Sequence, residues 1–214
     1  MSESAPSEED IKAKRLQAVL EQCDDLFFTY GFKRVSMDEV VHRLGMSKKT
    51  LYQLIPNKDA LIEAFVERTL KIRHETMARV LEAEPDLITG TAKMLELFQS
   101  QTWRVSAAMT MDLQRHWPHL FERIEQARRQ GIRRYIERLA GKNANYLRDD
   151  LHRDVLTHMI EAMVMQVVTP QLLVDLNLSV SQAMRTVLEV MLGGMLNDKG
   201  RRRLARARKS PAGS

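Results

Sequence analysis

Apolar positions follow a helical period along nearly the whole chain. In the first segment they recur three and four residues apart from Leu16 to Tyr30, as in one stripe of an amphipathic helix. There is no convincing alternation of apolar and polar residues, and no Asn-Gly dipeptide, so nothing predicts hairpins or strands. Few helix breakers (9 Gly and 6 Pro) and 13 Met favour helix throughout. The chain is predicted to be all-α.

Local signals place the ends of the helices in the first third. The predicted helices cover residues 10–30, 37–44, 48–55 and 58–82. Gly31 ends the first, because glycine adopts the left-handed conformation after a helix most cheaply. Ser36, followed three residues later by a glutamate, forms a capping box that opens the second. Gly45 supplies a tight turn, Ser47 caps the third helix, and Asn57 caps the fourth.

The later helices have similar signals. They are predicted over residues 87–113 (broken near 102–106), 118–139, 151–168 and 180–196. Pro118 fits a first helical turn, where its missing N–H costs nothing. Pro170 ends or kinks the next helix, and Ser179 with Gln182 forms a second capping box. From Met159 onward the sequence is apolar almost all round, so that helix must be covered on more than one side.

The net charge of +5 is unevenly distributed. Seven cations and no acid lie between residues 199 and 209, and without them the chain would carry a net charge of −2. This segment is predicted to be an unstructured basic tail. Cys23 is the single cysteine, which excludes an intrachain disulfide, and its place on an apolar stripe favours a buried small residue over a reactive thiol. With no signal peptide and no membrane-length apolar run, we expect a soluble, cytoplasmic and nucleoid-associated protein.

Cations concentrate where the short helices meet. Six Lys and Arg side chains lie between residues 31 and 58, against two acids, Asp38 and Glu39. A short, capped, cationic helix after a tight turn is typical of a helix that enters the major groove of DNA. The candidate DNA-binding residues are Ser36, Ser47, Lys48, Lys49, Thr50, Tyr52, Gln53 and Lys58.

Each candidate has a chemical role and an alternative. Lys48 and Lys49 can donate to guanine or neutralise phosphate, and Thr50 can contact a base edge or a thymine methyl group. Gln53 can pair with adenine or reach only the DNA backbone, and Tyr52 offers a hydroxyl group to that backbone. The alternative for the lysines and the tyrosine is a merely solvated helix face, and the two serines are helix caps first.

The first 65 or so residues resemble a TetR-family transcriptional regulator. The matching positions are Val19-Leu20, Leu26-Phe27, Gly31-Phe32, residues 36–40, residues 45–52 and Asn57 with residues 58–61. The resemblance implies phosphate contacts by Tyr52 and Lys58, and a C-terminal helical domain that binds a small molecule and dimerises. The chain departs from the family at Val41 and Leu44, where small residues are usual. It departs again at Leu54, which replaces an aromatic residue or histidine that often touches phosphate; the basic arm or the tail could compensate for that contact.

The predicted domains are an arm at 1–9, a DNA-binding domain at 10–57, an effector-binding and dimerisation domain at 58–198, and a tail at 199–214. Broad apolar faces make residues 151–168 and 180–196 the candidate dimer helices, as a four-helix bundle across a two-fold axis; the alternative is packing within one subunit. A Met- and aromatic-rich set suits an effector pocket or an ordinary core: Trp103, Met109, His116, Trp117, Phe121, Tyr135, Met159 and Met163. No cofactor and no metal site is expected.

These features predict a homodimeric repressor that leaves a palindromic operator when a small hydrophobic or amphipathic effector binds. An enzyme is not expected, because there is no Ser/His/Asp order, Gly-rich phosphate loop or paired-carboxylate motif. Two alternatives stay open. One is a non-sensing architectural DNA-binding protein that uses the basic tail, and the other is an activator or co-repressor-dependent regulator, which would share every residue discussed.

Overall fold

A computed structural model describes residues 7–84, 86–97, 105–141 and 144–209, and it confirms the all-α prediction. The helices are α1 (Glu8–Arg34), α2 (Met37–Leu44), α3 (Lys48–Leu54), α4 (Lys58–Ala83), α5 (Leu87–Leu97), α6 (Ala107–His116), α7 (Pro118–Ala140), α8 (Arg153–Val167), α9 (Pro170–Asp175), α10 (Val180–Met195) and α11 (Asp198–Lys209). A 3₁₀ turn covers Ala144–Tyr146, and one isolated antiparallel bridge joins Leu147 to Leu196.

The predicted caps are confirmed. The side chains of Ser36, Ser47, Asn57 and Ser179 each accept a hydrogen bond from the backbone N–H three residues further on. Pro118 is the first residue of α7, as expected. These caps satisfy N–H groups that have no partner inside the helix, which is why they locate helix starts so closely.

Gly31 departs from the predicted conformation. Its φ of 77° is positive as expected, but its ψ of 173° is extended, and α1 is kinked there and continues to Arg34. A Cβ atom at Gly31 would lie 2.7 Å from Oδ2 of Asp112 on α6. The same carboxylate oxygen accepts a hydrogen bond of 2.7 Å from the backbone N–H of Lys33. The kink therefore lets α6 approach the end of α1 closely.

The first core fixes the N-terminal helices around three fully buried phenylalanines. Phe27 lies 4.9 Å from both Phe32 and Phe65, measured between ring centroids. The angles of 57° and 80° are tilted and edge-to-face arrangements, which aromatic pairs favour. Met109 and Leu113 of α6 belong to the same core. The first half of α4 and much of α6 are therefore packed with the N-terminal helices, across the boundary predicted at residue 58.

The second core joins α5, the end of α7, α8, α10 and α11. Its centre includes Ile88, Ile160 and Leu192, each at most 2% exposed. The hydroxyl groups of Thr91 and Tyr135 are hydrogen-bonded at 2.9 Å inside it. Burial raises the pKa of Tyr135 to about 12, although the hydrogen bond to Thr91 opposes the shift. This polar pair is thus held neutral within an apolar surrounding.

The prediction of an unstructured tail was wrong for residues 199–209, which belong to α11. Gly200 and Leu204 are buried against the body of the protein, and an added Cβ at Gly200 would lie 2.6 Å from the Tyr146 carbonyl oxygen. Arg203 donates to one carboxylate oxygen of Asp86 from Nε at 2.8 Å and from Nη2 at 2.6 Å. The segment has a single large apolar residue, so its sequence resembles a tail, but this ion pair and close contact dock it.

Hydrogen bonds control the titration of Asp86. Burial alone would raise its pKa, but the backbone N–H of Thr89 and the guanidinium of Arg203 outweigh burial and lower it from the ordinary value. The carboxylate is therefore charged when α11 is docked.

Two further properties concern the described ranges as a whole. None of their helices is apolar over enough of its length to cross a bilayer. Within the same ranges, no three His, Cys, Asp or Glu side chains are grouped so that they could hold a metal ion.

Candidate nucleic-acid interface

α2 begins at a reciprocal cap. The Ser36 hydroxyl accepts from the Glu39 N–H at 3.1 Å, and the Ser36 N–H donates to the Glu39 carboxylate at 2.6 Å. That backbone donor, followed by the hydroxyl, lowers the pKa of Glu39. Buried Met37 and Val40 hold α2 on the first core. The capping box thus orients α2 and places the Ser36 side chain at the surface.

A glycine turn joins α2 to α3. Gly45 adopts φ 60° and ψ 27°, the left-handed conformation that a side chain makes costly. After the turn, the Ser47 hydroxyl accepts from the Thr50 N–H at 3.1 Å, which starts α3. Leu51 is fully buried and Ile55 nearly so, and they fix the inner side of α3. The orientation of α3 follows from the turn, the cap and these two anchors.

The outer side of α3 is exposed and cationic. Lys48, Lys49, Thr50 and Gln53 are all exposed, and Tyr52 is 45% exposed. The predicted DNA-contacting side chains of this helix therefore share one accessible surface, which we call the α3 face. None of them is sealed against the rest of the described chain.

Two members of the α3 face have partners. Nζ of Lys48 lies 2.8 Å and 2.9 Å from the two carboxylate oxygens of Asp38. The hydrogen bond from Lys48, and the negative charge of Asp38, raise the pKa of Lys48. The Thr50 hydroxyl lies 2.8 Å from that of Ser47. Lys48 is thus aligned across α2 and α3 by a surface ion pair, which is easily exchanged because both groups are well exposed.

Lys58 lies at the start of α4, half-buried. Its Nζ donates to the Lys33 carbonyl oxygen at 3.0 Å, and burial lowers its pKa. Lys33 in turn donates its N–H to Asp112 of α6. Because an ammonium has three donors, Lys58 retains capacity for a phosphate while holding Lys33. The Lys58 side chain is thereby connected to α6 through the backbone of a single residue, Lys33.

Two cations that sequence reasoning missed lie beside the α3 face. Lys12 and Arg15 of α1 line an open groove of about 400 Å³ together with Thr50, Gln53 and Leu54 of α3. A local motif could not indicate this, because residues nearly 40 positions apart meet only through the packing of α1 on α3. Leu54 is half-buried in this groove. The described part of the predicted basic tail is docked on α5 as α11.

The predicted effector residues are not brought together. Met109, Trp117 and Phe121 belong to or border the first core, whereas Tyr135 and Met163 belong to or border the second. Met159 is 54% exposed on the outer side of α8. Trp103 lies outside the described residues.

His116 is exposed beside an open groove where α1 and α4 meet α6 and α7. The groove has a volume of about 480 Å³ and is lined by Lys33, Lys58, Asp59, Glu63, His116, Trp117 and His119. The Trp117 indole N–H donates to Asp59 at 2.8 Å, and its ring packs edge-on against Phe32. The junction between α1, α4, α6 and α7 is thus fixed by a mixture of charged and aromatic contacts.

We call α1, α2 and α3 the head. The capped pair α2–α3, with its exposed cationic face on this three-helix head, defines a helix-turn-helix DNA-binding protein. Residues 19–65 match the family model described as bacterial regulatory proteins, tetR family. The chain therefore carries the DNA-binding domain of a TetR-family transcriptional regulator, as the resemblance predicted.

Solved structures share the fold well beyond this domain. A TetR-family regulator from Agrobacterium tumefaciens has a TM-score of 0.63 at 13% identity, covering 87% of this chain and 100% of that one. Reduced NemR of E. coli has a TM-score of 0.62 at 13% identity, covering 85% and 97%. A TetR regulator from Chloroflexus aurantiacus has a TM-score of 0.61 at 17% identity, covering 87% and 98%. No curated protein matches the chain by sequence.

Proposed function

We propose that the protein is a homodimeric transcriptional repressor that binds a palindromic operator and is released by a small hydrophobic or amphipathic effector. The observation that carries the proposal is the α3 face, which presents lysine, tyrosine and glutamine side chains outward from a rigid, capped helix. Such a helix reads base edges from its first turns while its neighbours contact the phosphates. The protein would act on chromosomal DNA in the cytoplasm, as a regulator and not as an enzyme.

The described contacts suggest how the work is divided on DNA. Lys49 and Gln53 have no competing partner in the described ranges and are the primary candidates for base edges. Lys48 would exchange Asp38 for a phosphate or a guanine, which keeps it aligned until DNA arrives. Tyr52 would donate a hydrogen bond from its hydroxyl to the phosphate backbone of the DNA.

Phosphates would also be held around the helix. Lys58 uses one of its donors on Lys33 and would give another to the DNA backbone. Ser36, Ser47 and Thr50 are exposed and could add hydrogen bonds from their hydroxyl groups, although each already takes part in a cap. These contacts carry no sequence information, but they fix the register of α3 in the groove.

Dimerisation is supported by two exposed stripes on adjacent helices. On α8, Val155 and Met159 are 55% and 54% exposed and lie one turn apart on one side. On α10, Val190 is 62% exposed, and the next turn presents Gly193 and Gly194 with open space where a Cβ atom would lie. α8 and α10 pack together through the second core, so both stripes point outward side by side. Small residues on α10 would let a second copy approach closely.

Effector release would act through the junction of the two halves. α6 contacts the head through Asp112, which holds Lys33 and, through it, Lys58. A shift of α6 on effector binding would disturb this chain of hydrogen bonds and change the spacing of the two α3 helices. A coupling of roughly 1–3 kcal/mol between the sites gives about a 5- to 150-fold loss of DNA affinity.

The proposal is tested by gel shifts on the DNA upstream of the protein's own gene. Replacing Tyr52 and Lys58 by alanine should abolish the shift and leave the dimer intact in sedimentation. The matched control replaces Tyr30 and Lys71, an exposed tyrosine and an exposed lysine outside α3, and should bind like the wild type. A compound panel added to the wild-type complex should include at least one effector that releases the DNA. Equal shifts with all three proteins would refute the assignment of the α3 face.

A further inference from the structure

The outward side of α11 carries a regular stripe of cations. Gly200 and Leu204 face the body of the protein, which directs the opposite side of the helix to solvent. Arg202, Arg206 and Lys209 occupy that side at helix spacings of four and three residues, and all three are exposed. With a rise of 1.5 Å per residue, the stripe is roughly 10 Å long. We call these three residues the α11 stripe.

Other cations of α11 have structural partners, whereas the α11 stripe does not. Arg203 is held by Asp86, and Arg208 donates to Glu189 at 2.7 Å. Lys199 lies 5.4 Å above the ring centre of Tyr146. Within the described part of the chain, no carboxylate oxygen lies within 4.0 Å of an α11 stripe nitrogen. The stripe thus carries positive charge on a docked helix without an ion-pair partner among the described residues.

α11 is anchored far from the α3 face. α4 starts next to α3 and has 26 residues, so its two ends are about 39 Å apart. Arg203 binds Asp86, only three residues beyond the last residue of α4, and α11 packs along α5. The α11 stripe therefore belongs to the end of the molecule opposite the recognition helix.

This distance separates the stripe from any duplex held by the α3 face. The Debye length is about 8 Å at physiological ionic strength, so charges on α11 are screened from that duplex. Duplex DNA has a persistence length of about 50 nm, so a bound operator does not fold back over a protein of this size. An anion that contacts the stripe must belong to another molecule or to a distant segment of the same DNA.

The chemistry of the stripe favours nucleic acid as that partner. Guanidinium groups fit phosphate oxygens with paired hydrogen bonds, and α11 has five arginines and two lysines. A helix that lies on a membrane needs exposed large apolar residues beside its cations. Here Leu204 is buried against the protein, and the exposed side offers only Ala205 between the cations.

We propose that the α11 stripe binds the phosphate backbone of a second DNA duplex without sequence preference, so that the protein bridges two DNA segments. The bridging rests on DNA binding by the α3 face in the proposed function. It goes beyond that function because the α11 stripe itself needs no operator sequence, effector or change of dimer state. In a dimer, each copy would supply one stripe, and two linked weak contacts hold a second duplex longer than one.

The first experiment isolates the stripe in a full-length protein whose α3 face is disabled by Lys48→Ala, Lys49→Ala and Tyr52→Ala. Its binding to an unrelated 30-base-pair duplex is measured from 50 to 200 mM KCl. Neutralising three phosphates predicts that log K falls with log salt with a slope of about −2.7 for each stripe. Adding Arg202→Glu, Arg206→Glu and Lys209→Glu should lower the affinity at 50 mM KCl at least about tenfold and remove this slope. A second set with glutamine at the same positions should also lose binding, which excludes misfolding from charge reversal.

The matched control reverses Lys71, Arg79 and Arg129, three exposed cations away from α11 with the same residue types and charge change. It should keep the affinity within about twofold of its parent. Equal losses in both variants would mean that general charge, and not the stripe, binds DNA, and would overturn the proposal. Failure of the wild type to bind its upstream DNA would instead count against the proposed function alone.

The second experiment measures bridging directly. Wild-type protein is bound to an immobilised upstream duplex, and capture of a fluorescent unrelated duplex is recorded. The wild type and the matched control should capture it, and the α11 stripe variant should not, while binding of the first duplex stays within about twofold. Absence of capture by wild-type protein that is bound to the immobilised duplex would overturn the proposal. So would equally tight stripe-dependent binding to phosphatidylserine vesicles, since it would assign the surface to membranes.

Discussion

Gly31→Ala should destabilise the protein through two separate effects at the contact between α1 and α6. The observed φ of 77° with ψ of 173° belongs to a region that is essentially restricted to glycine, and a side chain there costs about 1–3 kcal/mol. The new Cβ would also lie 2.7 Å from Oδ2 of Asp112 and displace its hydrogen bond from Lys33. That charge-assisted bond is partly exposed, so its loss adds about 1 kcal/mol. The expected total is about 2–4 kcal/mol.

Urea unfolding, at one fixed protein concentration because a dimer's stability depends on it, measures this cost. With a slope of about 2–3 kcal/mol per molar urea for a chain of this size, the midpoint should fall by about 1 M. Gly131→Ala is the control, because Gly131 lies inside α7 with open space around it and should gain about 0.5–1 kcal/mol. In an Asp112→Ala background, Gly31→Ala should cost about 1 kcal/mol less. A cost below about 0.5 kcal/mol would show that position 31 does not require glycine. A cost unchanged in that background would show that the contact with Asp112 does not contribute.

Substitutions in α10 and in the second core and its surroundings test the rest of the structure. Val190→Glu should dissociate the dimer, as measured by sedimentation, because it would bury an unpaired charge in the interface. The control Val174→Glu changes an exposed valine of α9 and should leave the dimer intact. A dimeric Val190→Glu protein would contradict the proposed interface. Asp86→Asn should cost about 1–3 kcal/mol in urea by weakening the pair with Arg203. Because the pKa of Asp86 is lowered in the folded state, the wild type should be more stable than Asp86→Asn by the full amount above about pH 4, the ordinary carboxyl pKa. This difference in the free energy of unfolding should disappear as the pH falls through the pKa of Asp86 in the folded protein. A difference independent of pH would contradict the role of the charged carboxylate. Tyr135→Phe should cost about 0.5–1.5 kcal/mol, and no change in the unfolding midpoint would show that the buried hydroxyl adds nothing.

The head could be predicted from sequence because its signals are local. A cap at Ser36 or Ser47 and a turn at Gly45 depend on residues at most three positions away, and the structure reproduces each of them. Apolar spacing likewise fixed which side of α3 is anchored, since Leu51 is the buried residue. The exposure of the predicted DNA contacts follows from the same periodicity.

What the sequence could not predict depends on distant contacts. α11 is helical and docked because Asp86, more than a hundred residues earlier, receives Arg203. Lys12 reaches the α3 groove only through helix packing. Met159 was predicted to line an effector pocket because of its residue type, but it is exposed. Its neighbour in sequence, Ile160, is buried, since adjacent residues of a helix point in different directions. Which side of an apolar helix is covered depends on its neighbours.

Selection of binding sites from random duplex DNA, followed by footprinting, tests most directly whether α3 enters the major groove in a symmetric pair. We expect an enriched palindrome whose two protected half-sites lie 10–10.5 base pairs, about 34–36 Å, apart from centre to centre. Protection should disappear in the Lys48→Ala, Lys49→Ala, Tyr52→Ala protein. Enrichment of no sequence by the wild type, or an unchanged footprint with that variant, would contradict it.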